Sequence, residues 1–148
     1  MTAARRTRIL IVDDSAVMRS LLRSVVTTDA GLEVAGTAAD GASALASLAQ
    51  LQPDLILLDV EMPVMDGLVT LRELRRRGNR MPVMSGFDML KELRAEGYDG
   101  VKVLMVTTEA ENDFILRALD AGADEYLMKP FDHDALDEKL AMLGLAEA

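Results

Sequence analysis

The 148-residue chain contains no cysteine and no tryptophan, a single histidine (His133), and only four lysines against twelve arginines. Without cysteine there are no disulfides, thiolate zinc sites or cysteine nucleophiles. One histidine cannot build a histidine metal cluster, so any metal is expected to be held by oxygen. No apolar run approaches the roughly 18 residues of a membrane span. The N-terminal stretch MTAARRTR leads into a short strand-like run and has no signal-peptide pattern, so a cytoplasmic location is expected. Basic charge is also scarce: 25 Asp and Glu against 16 Lys and Arg give a formal charge of −9. A phosphate-backbone binder needs a basic face, so nucleic acid is not an expected partner. Half of the residues are hydrophobic, a globular composition, and the length suits one domain spanning 1–148.

What is present is an alternation of short aliphatic runs with segments of helical period. Ile9 to Val12 reads as a strand, and Val17, Met18, Leu21, Leu22, Val25 and Val26 mark a helical stripe after it. Leu32 to Gly36 is a second strand candidate, and Asp40 is placed to cap a helix carrying Leu45, Leu48 and Leu51. Leu55 to Leu58 and Val101 to Val106 are unbroken runs, the pattern of strands buried on both faces. A helix with Phe114, Ile115, Ala118 and Leu119 on one face comes next, then a fifth strand at Glu125 to Met128 and a last helix carrying Leu136, Leu140 and Leu143. The alternation predicts an α/β, doubly wound (flavodoxin-like), five-stranded parallel sheet with helices on both faces. In that class ligands bind beyond the carboxyl ends of the strands.

The residues at those ends are Asp13 and Asp14, Asp59, Thr107 and Thr108, and Lys129. Three carboxylates packed together repel one another unless a divalent cation neutralises them, and oxygen-only ligands suit Mg2+. Lys129 is placed to be a point charge for a phosphoryl oxygen, and Thr107 to donate to a second. Such a set is equipped for phosphoryl transfer onto an aspartate.

The segments ILIVDDSAVMRSLL, PDLILLDVEMPVMDG, VLMVTTEAE and AGADEYLMKPF resemble the receiver (CheY-like) domains of two-component response regulators and cover nearly the whole chain. The resemblance implies that Asp59 accepts the phosphoryl group and that Asp13, Asp14, Asp59 and the backbone carbonyl of Glu61 hold Mg2+. It implies that Thr107 and Lys129 bind the phosphoryl group, that Tyr126 is an aromatic switch coupled to Thr107, and that Lys129-Pro130 is a cis peptide. The implied donor is a histidine kinase, and the implied output is binding of a protein to the face around the fourth and fifth strands. That output is expected because the chain ends at Ala148 with no effector domain, and the chain is expected not to be an enzyme beyond self-phosphorylation and autodephosphorylation. Two alternatives are an aspartate-nucleophile phosphohydrolase, suggested by Asp59-Val60-Glu61, and an unphosphorylated interaction module. Tyr126 also reads as a half-buried core tyrosine, Glu61 and Glu109 read either as flanking the phosphoryl group and tuning attack by water or as solvated acids, and His133 reads as an exposed residue of the last helix.

One stretch departs from the family pattern. MPVMDGLVTLRELRRRG (62–78) recurs as MPVMSGFDMLKELRAEG (81–97), with ten of seventeen positions identical at an offset of 19. Up to about Val83 the chain resembles the receiver of the chemotaxis methylesterase, and from Met81 it resembles the stand-alone chemotaxis receiver. A chimera joined at MPVM or an internal duplication would account for this. The sheet can bury only one of the two helices, so the second is expected to pack normally. Part of the first is expected to be displaced or to extend the second as a hairpin, and a displaced helix would leave Leu68, Leu71 and Leu74 available for self-association.

Overall fold

A computed structural model describes residues 6–59, 86–107, 112–129 and 131–145. Within these, five strands alternate with five helices: β1 (Thr7–Val12), α1 (Ala16–Thr27), β2 (Leu32–Ala38), α2 (Gly41–Leu51), β3 (Leu55–Asp59), α3 (Gly86–Ala95), β4 (Lys102–Thr107), α4 (Asn112–Ala121), β5 (Glu125–Met128) and α5 (His133–Met142). All strand pairs are parallel, in the order β2-β1-β3-β4-β5. The flavodoxin-like fold expected from the alternation is the fold found. The expected extra helix of the first repeat copy lies outside the described residues, as do Glu61, Glu109, Thr108 and the Lys129-Pro130 bond.

The central strands are aliphatic on both sides because both sides are covered. Leu10, Val12, Ile56, Leu58, Val103 and Met105 face one way, toward Leu48 of α2, Met89, Leu90 and Leu93 of α3, and Ala118 of α4. Their alternates Ile9, Ile11, Leu55, Leu57, Leu104 and Val106 face Leu22 and Val26 of α1 and Leu136 and Leu140 of α5. Each such leucine contributes roughly 1.5–3 kcal/mol by leaving water. The helix of the second repeat copy therefore occupies the sheet, with Met89, Leu90 and Leu93 fully buried.

The helix starts follow from local chemistry. Ser15 Oγ accepts the Met18 N–H, Asp40 Oδ1 the Ser43 N–H, and Asp132 Oδ1 the Ala135 N–H, so α1, α2 and α5 all begin on side-chain caps. Three expectations need correction. Val17 and Leu21 in the α1 stripe are exposed, while Leu22 and Val26 are buried against the sheet and Val25 packs beside them partly buried. Leu119 of α4 is also exposed, while Ala118 packs inward. Strand β2 runs past Gly36 to Ala38, where the Asp13 N–H donates to the Ala38 carbonyl at 3.1 Å.

Arg94 at the end of α3 ties that helix to the loops ahead of β4 and β5. It donates to the carbonyls of Tyr98, Val101 and Gly122 and pairs with Asp124 at 2.8 Å. Gly122 adopts φ +117°, and a Cβ there would lie 2.7 Å from Arg94 Cγ, so both the backbone and the arginine require glycine. Nothing in the sequence pattern singled out this arginine.

Candidate functional site

Strand register brings the strand-end residues together. Val12 pairs with Leu58, Asp59 with Val106, and Thr107 with Met128, so the residues at and just beyond these pairs share one edge of the sheet. The Lys129 N–H donates to the Thr107 carbonyl at 2.8 Å, which fixes the start of the segment after β5 against the end of β4.

Asp13, Asp59 and Thr107 are the polar side chains buried among the described residues, at 1%, 4% and 1% exposure. Asp14 beside them is exposed, and carboxylate oxygens of Asp13, Asp14 and Asp59 lie within 4.8 Å of one another. Lys129 Nζ stands 3.2 Å from Asp59 Oδ1 and 3.5 Å from Asp13 Oδ2. Asp13 is held from its own backbone outward. Its Oδ1 accepts the Ser15 N–H at 2.9 Å, and its carbonyl accepts from Arg19 Nη1 at 2.8 Å. That leaves Oδ2 buried with the ammonium nearby and no hydrogen-bond donor.

Buried acids of like charge are stable only when compensated. Lys129 supplies one positive charge for three carboxylates. The donor set is all oxygen, one carboxylate is open to solvent, and one buried oxygen lacks a hydrogen bond, which fits a small hard cation that keeps part of its water shell. Five of the residues expected at this site, Asp13, Asp14, Asp59, Thr107 and Lys129, thus sit at one end of the sheet. Arg19, which braces Asp13, was not foreseen.

Tyr126 is half-buried on β5. It packs against the core layer under α2 and α3, with Lys139 Nζ 4.6 Å from its ring centroid and the same ammonium 3.3 Å from Glu125. With Phe131, Asp132 and Ala135, Tyr126 and Lys139 line a surface cavity of about 450 Å³.

The chain matches the response regulator receiver domain family over residues 9–84 and again over 78–141. It belongs to that family. The two matches overlap where the second repeat copy begins, so the motif after Asp59 is matched twice. Among curated relatives, the protein-glutamate methylesterase/protein-glutamine glutaminase 2 of Xanthomonas oryzae pv. oryzae is 42% identical over 149 residues, covering 99% of this chain and 35% of the relative. Of solved structures, the chemotaxis protein CheY4 of Vibrio cholerae is similar with a TM-score of 0.72 and 33% identity, covering 94% of this chain and 98% of that one. The response regulator domain of Thermotoga maritima CheB has a TM-score of 0.66 and 28% identity, covering 95% and 92%.

The receiver spans about a third of the length of the curated relatives it matches. Those relatives carry the name of an enzyme, which corrects the expectation of a chain outside enzymology. None of the helices described is long and apolar enough to cross a membrane.

Proposed function

We propose that residues 1–148 form one receiver domain of the chemotaxis type, in which Asp59 accepts a phosphoryl group from the phosphohistidine of a histidine kinase. The observation that carries this reading is the placement of Lys129 Nζ between the buried carboxylates of Asp59 and Asp13 with Asp14 alongside. In the transfer, an Asp59 carboxylate oxygen forms a bond to phosphorus as the phosphorus–nitrogen bond of the donor breaks, and the leaving imidazole takes up a proton. The chain has little covalent work to do beyond positioning and charge stabilisation. Lys129 is within reach to move from the Asp59 carboxylate to a phosphoryl oxygen, and the Thr107 hydroxyl at the end of β4 donates to another. Asp13, Asp14 and Asp59, with the Glu61 carbonyl, would hold Mg2+. When bound, that ion offsets the charge that develops on the phosphoryl oxygens.

The output reading rests on the face formed by β4, α4 and β5. Leu116 and Leu119 are exposed there, and Tyr126 lies half-buried beside the cavity over β5. Movement of Thr107 toward the phosphoryl group and of Tyr126 inward would alter this face and so select a protein partner. The chemotaxis assignment draws on the named relatives, in which receivers occur both alone and joined to a methylesterase.

The test is phosphotransfer from a histidine kinase in the presence of Mg2+, read by intact mass. The wild-type chain gains one phosphoryl group and Asp59→Asn gains none. Absence of an Asp59-dependent gain would leave only the unphosphorylated interaction module, and multiple turnover of a simple phosphate ester would favour the phosphohydrolase.

A further inference from the structure

Arg19, at the fourth position of α1, brings a permanent positive charge close to the strand-end acids, yet among the described residues it pairs with no carboxylate. Its Nη1 donates instead to the Asp13 backbone carbonyl at 2.8 Å. A charge-assisted bond of this length is among the stronger hydrogen bonds a side chain makes. The acceptor belongs to the peptide that joins Asp13 to Asp14, so the contact acts on the link between two of the three acids.

That link is where the geometry of the acid pair is decided. Successive side chains of an extended strand point to opposite faces. Carboxylate oxygens of Asp13 and Asp14 nevertheless meet that of Asp59 within 4.8 Å, because the chain leaves β1 at Val12 and bends at Asp14. The peptide is planar, so the two torsions that flank it set where Asp14 points relative to Asp13, and holding the carbonyl holds both. The rest of Asp13 is already tied: its N–H donates to the Ala38 carbonyl at 3.1 Å, and its Oδ1 accepts the Ser15 N–H at 2.9 Å. Arg19 supplies the remaining restraint.

The arginine is itself fixed at its root. Ser15 Oγ accepts the Met18 N–H at 3.2 Å and the Ser15 carbonyl accepts the Arg19 N–H at 2.9 Å, so the cap that starts α1 also places Arg19. These bonds close a circuit from Asp13 through Ser15 to Arg19 and back. The circuit leaves Asp13 Oδ2 buried and without a hydrogen bond. A guanidinium seated on that carboxylate would take the place of a cation, whereas one seated on the carbonyl leaves the oxygen available.

We propose, resting on the reading of the strand-end acids as a Mg2+ site, that Arg19 is a positioning residue for that ion. It holds the Asp13-Asp14 peptide so that both carboxylates address one cation, and it contributes no ligand. Removing it has two effects of opposite sign. As a positive charge near the acids Arg19 repels a cation, so by Coulomb's law alone its loss tightens Mg2+ binding. As a restraint its loss weakens binding, as does the loss of other partners that orient metal ligands. The restraint is the larger effect, and the sign of the measured change separates the two.

The experiment titrates Mg2+ calorimetrically into the full chain, comparing wild type with Arg19→Met, which keeps the apolar stem, and Arg19→Lys, which keeps a charged donor. The Mg2+ dissociation constant is expected to rise roughly tenfold in Arg19→Met and to return most of the way in Arg19→Lys. The rise in Tm at a fixed, sub-saturating Mg2+ concentration should shrink in Arg19→Met, whereas an arginine with only a structural role would lower Tm equally with and without the ion. Circular dichroism without divalent ions shows that each variant is folded, and Arg19→Gln replaces Arg19→Met should that variant not fold. Unchanged or tighter Mg2+ binding in Arg19→Met overturns this inference alone. A wild type that takes up no Mg2+, or whose uptake is undiminished by Asp13→Asn, overturns the strand-end reading and this inference with it.

Discussion

The two carboxylate clusters of this receiver solve the same electrostatic problem in different ways. At the strand ends, acids buried to 1% and 4% exposure face the ammonium of Lys129, the first residue after β5. At the α1–α5 junction, the partly exposed acids Asp29 and Asp137 each stand 3.3 Å from the imidazole of His133. Burial explains the difference. Acids removed from water need a positive charge within contact distance, whereas acids that keep some solvent are screened by it.

The largest break in this comparison should come from Lys129→Met. It removes the ammonium 3.2 and 3.5 Å from two buried carboxylates, and losing one partner of a buried ion pair costs about 3–5 kcal/mol. Denaturant unfolding without divalent ions should show that loss, and Mg2+ should restore part of it. The equivalent loss at the second cluster, His133→Ala, should stay near the range of partly exposed pairs, about 0–1 kcal/mol. A Lys129→Met protein as stable as wild type without Mg2+ would show that the lysine does not compensate the acids.

Next comes the scaffold that sets the strand-end cluster. Leu93 is fully buried in the second repeat copy, and Leu93→Ala should cost about 2–5 kcal/mol in thermal or denaturant unfolding. Excising residues 62–80 leaves Met89, Leu90 and Leu93 in the chain and gives a spacing of 29 between Asp59 and Thr107. That deletion should lower stability by less than Leu93→Ala does. A larger loss would make the first copy part of the core.

The strand-end cluster was legible in the sequence because the rule that reveals it is local. An aliphatic run marks a buried strand, the next residue marks its carboxyl end, and a parallel sheet puts those ends side by side. Asp13, Asp59, Thr107 and Lys129 were found in this way, and the caps Asp40 and Ser15 follow equally local chemistry. The second cluster was not legible. His133 and Asp137 have helical spacing, but Asp29 lies 104 residues from the histidine, and only the packing of α1 beside α5 brings it near. Arg94 was missed for the same reason, since its acceptors at Gly122 and Asp124 are set by tertiary packing. The α1 stripe misled in the other direction. Six apolar positions have helical period, but a helix on a flat sheet buries a narrow strip, and Val17 and Leu21 fall outside it.

The smallest expected effect is the most discriminating, because it reverses sign within the α1–α5 cluster. Substituting a strand-end acid removes a partner of Lys129, while Asp137→Asn removes a carboxyl that burial and Asp29 push up. A carboxyl raised in the folded state binds more protons folded than unfolded, so stability falls as pH rises from the unfolded value of 3.8 through the folded one. At neutral pH without metal, Asp137→Asn should therefore stabilise the chain by about 0.5 kcal/mol or less, the scale of screened, partly exposed charges. Asp29 is lowered, so its contribution is present above 3.8 and is lost as pH falls through its folded value, making Asp29→Asn destabilising at neutral pH. Thermal unfolding of both variants at pH 3 and pH 7 with a chelator checks the pair: the two substitutions should shift Tm in opposite directions at pH 7.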